Sequence, residues 1–345
     1  MAQSDHLQAR LVLGKGHDPW YNLAVEEYLL ENLNSSEIII YLWQNEKTVV
    51  IGRNQNAWQE CLVGKLEADG GKLARRLSGG GAVFHDLGNL NYTILMPRRF
   101  YQLQEQLTPI LTALQDLGIA AKFSGRNDLL YQDKKISGNA FYYGKKSAYI
   151  HGTVLVNSDL FKLAAYLKVA EAKIKAKGID SVISRVINLT DIEQNITVAD
   201  VIAAIKNSFS KKYNGGQTLP QIMIEKNDRL TELYTKYADW NWRFGKTPDF
   251  DLALAHRFSW GGIELNLKLS DARIKEAVIY SDLMYSDLVQ QLTNNLKDQP
   301  FKLAQLLQIV KKTLADYSYS DQVVKQQIKT ELSSWLAAEL AEIIY

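Results

Sequence analysis

Residues 73–93 read LARRLSGGGAVFHDLGNLNYT. Three consecutive glycines, Gly79, Gly80 and Gly81, follow the basic pair Arg75 and Arg76. Glycine takes positive φ without a Cβ clash and leaves its backbone N–H uncovered. Three in a row are poor material for the interior of a helix or strand. They suit either a plain loop or a place where the main chain closely approaches a ligand. The arginines upstream favour an anionic ligand, because a guanidinium is a fork of donors matched to phosphate and carboxylate. After the glycines, Ala82–His85 and Asn89–Leu95 read as two strands, with Asp86–Gly88 as a short hairpin turn.

Upstream, residues 9–13 read as a strand and Asp18-Pro19 as a helix start, the helix running to about Leu33. Ile38–Trp43 and Thr48–Ile51 are β-rich runs joined by the turn Gln44–Lys47. A helix from Ala57 to Leu66 follows, with Cys61 in its middle. Downstream, Tyr101–Leu117 reads as a helix closed by Gly118. Strands near Ala120–Phe123 and Asp128–Tyr131 flank Gly125-Arg126-Asn127, and Lys135–Tyr143 and Ala148–Val156 form an antiparallel pair. Residues 158–178 are helical and basic, and helices near Val198–Lys211 and Asp228–Lys236 follow. The expected fold is α+β: a mixed, largely antiparallel sheet with helices packed on it. Pro248 marks the boundary between a domain of residues 1–248 and a smaller α+β domain of 249–345. In the smaller one, Phe258–Leu269 and Ala272–Tyr280 form a hairpin, with helices after it near Ser286–Asn294, Phe301–Tyr317 and Asp321–Ile344.

The chain has 345 residues, is 46% hydrophobic and 23% charged, and carries a net charge of +2. That balance points to neither nucleic acid nor a membrane surface. A single cysteine excludes an intramolecular disulfide framework and a four-cysteine zinc site. With no apolar stretch of spanning length and no apolar segment in MAQSDHLQAR, a cytoplasmic protein is expected. Two nucleotide signatures are absent. Gly138 and Gly144 are separated by five residues, so no Walker A loop forms, and Phe84 stands where a dinucleotide fingerprint needs glycine.

Three further segments carry candidate chemistry. In Lys134-Lys135-Ile136-Ser137-Gly138, a lysine on a strand either faces a reacting anion or is a solvated turn residue. In Gly125-Arg126-Asn127-Asp128, the carboxylate and amide suit phosphate and Mg²⁺, or a plain turn. Lys175–Arg185 is a basic, glycine-containing stretch, either a covering loop or a solvated face. Trp43, His85 and His151 serve either a pocket or the core.

The run R-R-x-S-G-G-G-A-V-F-H-D-x-G-N-x-N-Y resembles the signature of the lipoate–protein ligase A family, related to biotin ligases and octanoyl transferases. D-P-W-x-N-L-A-x-E-E at 18–27, G-R-N-D, K-x-S-G, H-G-T and the K-G-I loop stand in the family's order. Phe258-Ser259-Trp260-Gly261-Gly262 resembles the bacterial accessory C-terminal domain. Asn139 and Phe141 depart from the family pattern, which leaves acyl-chain selectivity open.

The resemblance implies an ATP- and Mg²⁺-dependent ligase. Lipoate plus ATP gives lipoyl-AMP and pyrophosphate, and a lysine of an acceptor lipoyl domain then takes the acyl group. Lys135 is implied as the catalytic lysine, and Asp128 as the metal-binding carboxylate. ATP or adenylate binding falls to Arg76, Ser78, Gly79, Gly80, Gly81, Ala82, Val83, Phe84, Asn127, Asp128 and Lys135. Lipoate binding falls to Trp43, Arg76, Gly81, His85, Lys135, Ser137, Gly138, His151 and Gly152. The adenylate-covering loop contributes Lys175, Lys177, Gly178, Ser181, Val182 and Arg185. The implied acceptors are glycine cleavage H protein and the acyltransferase subunits of 2-oxoacid dehydrogenases, with octanoate as a competing acid and a monomeric enzyme. Two other readings remain: an ATP-independent octanoyl or lipoyl transferase using Cys61, and a non-catalytic lipoyl-domain binder.

Overall fold

The computed structural model describes residues 7–124, 127–167, 185–244, 251–270 and 272–341. These group into two compact units. The first comprises the described parts of 1–51, 57–76 and 82–243; the second comprises 52–56 and 77–81 with the described parts of 244–345.

The first unit is built on a seven-stranded sheet in the order β1-β2-β6-β10-β9-β8-β7. These strands are β1 (Gln8–Leu13), β2 (Glu37–Trp43), β6 (Asn89–Pro97), β7 (Lys122–Phe123), β8 (Asp128–Tyr131), β9 (Lys134–Tyr143) and β10 (Ser147–Leu155). Among the described strands of this sheet, only the β1–β2 pairing is parallel. A small second sheet has β3 (Thr48–Ile51) between β4 (Lys72–Arg75) and β5 (Val83–His85).

The expected hairpin across Asp86–Gly88 does not form. β5 pairs with β3, and β6 enters the large sheet between β2 and β10. All nine residues of β6 are buried, so it needs a neighbour on both edges and cover on both faces. The turn itself is real: Asp86 Oδ1 accepts from Gly88 N–H at 2.9 Å. The Gly88 carbonyl, however, accepts from Val156 and Asn157 instead of closing a ladder with β5.

Helix Pro19–Glu31 starts as the sequence predicts. Asp18 caps it by accepting from the amides of Trp20 and Tyr21, and Pro19 opens it. It packs on β6 and β10 and against helix Asp228–Ala238. Its buried side includes two polar residues one turn apart, Asn22 and Glu26. Helix Val198–Tyr213, capped by Thr197, packs on helix Leu103–Asp116.

The expected helix 57–66 is broken. Helical turns cover Ala57–Glu60 and Val63–Ala68, and Cys61 lies in the break, bridging to Leu167. Cys61 is 1% exposed and fills the core as a small apolar side chain.

The second unit contains an antiparallel sheet of β11 (Leu252–Phe258), β12 (Gly261–Ser270) and β13 (Arg273–Ser281). β12 and β13 are the expected hairpin. β11 was not expected from the sequence beyond its last residue, and only Leu254 in it is buried. Helices Ser286–Leu296, Leu303–Asp316 and Gln322–Ala341 pack in succession behind this sheet. No described helix in either unit is long and apolar enough to cross a membrane.

Candidate active site

Antiparallel pairing brings four strand segments to one end of the large sheet: the end of β2, the start of β6, the end of β10 and the start of β9. There Thr93 pairs with His151, and Gly152 lies between Tyr92 and Asn139. Glu26 enters from the helix. Its Oε1 accepts from Thr93 Oγ1 at 2.7 Å and sits 2.8 Å from His151 Nδ1. Thr93 Oγ1 in turn accepts from the Trp43 indole at 3.1 Å. Trp43, Thr93, Glu26 and His151 therefore form one buried network.

Arg76 is 5% exposed, and its guanidinium donates to the Val50 carbonyl. Burial lowers its pKa to about 10, opposed by the fields of Tyr149, Glu26 and Glu60, so it stays cationic at neutral pH. His85 is also buried and packs edge-on against Trp43 at 6.1 Å. Burial, with the nearby Arg76 and His151, pushes its imidazole down to about 3, so the ring is neutral. Phe84 is buried against Tyr166 at 5.4 Å, while Ala82 and Val83 are partly exposed.

Lys135 and Asp128 form an ion pair, Nζ to Oδ1 2.9 Å, with each side chain about one third exposed. The pairing of β8 with β9 slips between Leu129 and Leu130, so Ile136 is an extra residue beside Lys135. Such a bulge re-aims a side chain. The lysine stem crosses Gly138, where a Cβ would stand 2.4 Å from both Cε and Nζ. Glycine at that place in K-x-S-G is therefore a steric requirement of the lysine's path. The Lys135 amide donates to the Arg185 carbonyl at 2.8 Å, so Arg185 adjoins the lysine strand. Ser137 is buried, its Oγ 3.4 Å from the Tyr92 hydroxyl. That hydroxyl donates to Asn139 Oδ1, and Asn139 exchanges hydrogen bonds with Asn127. Gly152 leaves room for this contact, since a Cβ there would stand 2.1 Å from Asn139 Oδ1.

Other residues singled out in the sequence have partners of their own. Arg75, expected beside an anion, instead donates to the carbonyls of Trp242 and Arg243. Ser78, Gly79, Gly80 and Gly81 group with the second unit. There the Ser78 carbonyl accepts from Arg53 N–H, and Gly80 N–H donates to the Asp282 carbonyl at 3.2 Å. A Cβ on Gly79 would stand 1.9 Å from the Leu283 carbonyl oxygen. The triglycine thus does meet a backbone closely, and that backbone is its own chain's. Lys175, Lys177, Gly178, Ser181 and Val182 lie outside the described residues, as do Gly125 and Arg126.

Sequence reasoning missed Glu26, Tyr92 and Thr93 as parts of this site. The available signal was the spacing of Asn22 and Glu26, polar residues on the apolar side of a helix that buries Leu23 and Leu30.

Among the described residues, no three His, Cys, Asp or Glu side chains gather as a metal cluster. Mg²⁺ ordinarily needs only one or two carboxylates beside substrate phosphates; Asp128 is one half-buried carboxylate, paired here with Lys135.

Residues 18–210 match the family described as Lipoyl protein ligase A/B catalytic domain, and 247–336 match Bacterial lipoate protein ligase C-terminus. A lipoate-protein ligase A of Psychrobacter cryohalolentis is 43% identical over 300 residues, which is 85% of this chain and 88% of the relative. The structure of P. falciparum LipL1 in complex with lipoate is 30% identical, with a TM-score of 0.81 over 96% of this chain and 99% of that one. A lipoate-protein ligase A bound with ATP is 25% identical, with a TM-score of 0.59 over 69% of this chain and 99% of that one. The chain belongs to the lipoyl protein ligase A/B family, in the form that carries the bacterial C-terminal domain.

Proposed function

We propose the following route for this chain, an ATP-dependent lipoate–protein ligase, through the residues around Lys135. In the first half-reaction a lipoate oxygen attacks the α-phosphorus of ATP. The bond to the β-phosphate oxygen breaks, and pyrophosphate leaves. Arg76 holds phosphate, and Lys135 screens two anions from each other and stabilises the charge of the pentavalent transition state. In the second half-reaction a lysine amine of the acceptor attacks the lipoyl carbonyl. AMP leaves with the bonding pair, the amine loses a proton, and an amide forms.

Trp43, His85, Ser137, Gly138, His151 and Gly152 line the acyl site. Ser78, Gly79–Gly81, Ala82, Val83, Phe84 and Asn127 serve the nucleotide. Asp128 would hold Mg²⁺, whose chemistry is to neutralise phosphate charge. Residues 175–185 cover the adenylate, whose mixed anhydride needs protection from water. We take residues 1–248 as catalytic and 249–345 as accessory. The acceptors are lipoyl domains, those of glycine cleavage H protein and of 2-oxoacid dehydrogenase acyltransferases, met by a monomer in the cytoplasm. Burial of Cys61 favours this route over a thioester route, which needs an accessible thiolate.

The observation that carries the reading is the Lys135–Asp128 pair laid over Gly138. Lipoate-dependent exchange between ATP and labelled pyrophosphate tests it. The wild type is expected to exchange and Lys135→Ala to be silent; an active Lys135→Ala enzyme overturns the assignment.

A further inference from the structure

Helix Pro19–Glu31 buries a second polar side chain that the reaction scheme leaves unused. Asn22 is 0% exposed. Its Nδ2 lies 2.8 Å from the Gln44 carbonyl and 3.2 Å from that of Gly16. Carbonyls only accept, so the atom facing them is the amide nitrogen. The third neighbour of this nitrogen is the Asn45 side chain, 3.0 Å away, which must therefore present its oxygen. The Asn45 nitrogen then faces His85 Nδ1 at 3.1 Å. A donor at Nδ1 requires a lone pair there. The buried ring is neutral, with its pKa near 3, and a neutral imidazole carries one proton. That proton is on Nε2. His85 Nε2 is itself buried and has no hydrogen-bond partner among the described residues. A buried N–H left unpaired is costly, so a bound acceptor is favoured there.

We propose that Asn22 and Asn45 are positioning residues, holding His85 as an Nε2–H donor for an acceptor atom of the acyl substrate. The proposal rests on the reading of His85 as part of the lipoate site. Its relay is fixed by geometry: two carbonyls orient Asn22, Asn22 orients Asn45, and Asn45 selects the tautomer.

The test begins with the ¹⁵N-histidine spectrum of the full-length wild type, which needs no variant to fold. His85 is expected to show a protonated Nε2 and an unprotonated Nδ1; a proton on Nδ1 overturns the proposal. Adding lipoate is expected to shift His85 Nε2. A matching shift with octanoate places the acceptor at the carboxyl end, and a shift with lipoate alone places it at the dithiolane sulfurs. No shift with either acid overturns the donor role. Asn45→Asp offers Nδ1 only acceptors and moves the proton there. The KM for lipoate is then expected to rise about tenfold, as for loss of one hydrogen bond in a buried site, with the KM for ATP unchanged. A moved proton with an unchanged KM for lipoate overturns the proposal. Failure of the ligase reading has a separate signature, the absence of lipoate-dependent exchange in the wild type.

Discussion

Glu26 Oε1 lies 2.8 Å from His151 Nδ1, and the same oxygen accepts from Thr93, which holds the Trp43 indole. A helix thereby sets three side chains on three different strands. Glu26→Gln keeps the shape and removes the charge. It is expected to cost about 2 kcal/mol of stability, the scale of a hydrogen bond to a charged group. Urea unfolding measures the loss, and the KM for lipoate is expected to rise with it.

His85 gives the protein an acid-sensitive element. Its folded pKa is depressed to about 3 from an ordinary value of 6.5. Between those values the unfolded chain binds the proton and the folded chain does not. Stability therefore rises with pH across that window and falls on acidification. His85→Gln is expected to lose less stability than wild type between about pH 7 and about pH 5, where an ordinary histidine titrates. Urea midpoints for both proteins at both pH values check this; parallel slopes refute it.

Gly138 separates the path of the lysine from the stability of the sheet. A Cβ there meets Lys135 Cε and Nζ, the free end of a flexible side chain. Gly138→Ala is expected to displace the ammonium and lower the adenylation rate at least about tenfold, within the range for one misplaced electrostatic group. The melting temperature is expected to change little. A normal rate in the alanine variant would argue against the lysine's assigned position.

Tyr92 is fully buried, and its hydroxyl donates across Gly152 to Asn139. Burial raises the phenol's pKa, so it stays a neutral donor. Tyr92→Phe leaves the Asn139 oxygen short of a partner, and a loss of about 1–3 kcal/mol is expected for that buried acceptor. Denaturant unfolding reads this directly.

The glycine stretch stands out in the sequence as a rare residue run, and Lys135 stands out only through the family resemblance. Gly138 was legible as a letter of a motif, and its steric reason appeared only with the lysine's path. Glu26 was legible only as a letter of D-P-W-x-N-L-A-x-E-E, not as a buried site residue: a carboxylate in a helix is assigned to the surface unless its neighbours are known. The relation of β5 to β6 was misread for a different reason. Asp86–Gly88 has sound turn chemistry, but local turn geometry does not say which strand lies alongside. That was decided by β6, whose buried edges recruit β2 and β10. Arg75 illustrates the same limit, since the carbonyls it caps belong to residues more than 160 positions away.

Asn22 and Glu26 work as marks on a ruler. One sets the ring proton of His85 and the other braces His151, and a single helical turn separates them. Each residue in an α-helix advances about 100° around the axis, so inserting or deleting one residue between them would swing one mark off its target. Substitution along this helix is graded by what each side chain touches, but a change in length between the two marks is all-or-nothing. Chains that diverge in composition here are therefore expected to keep the interval unchanged.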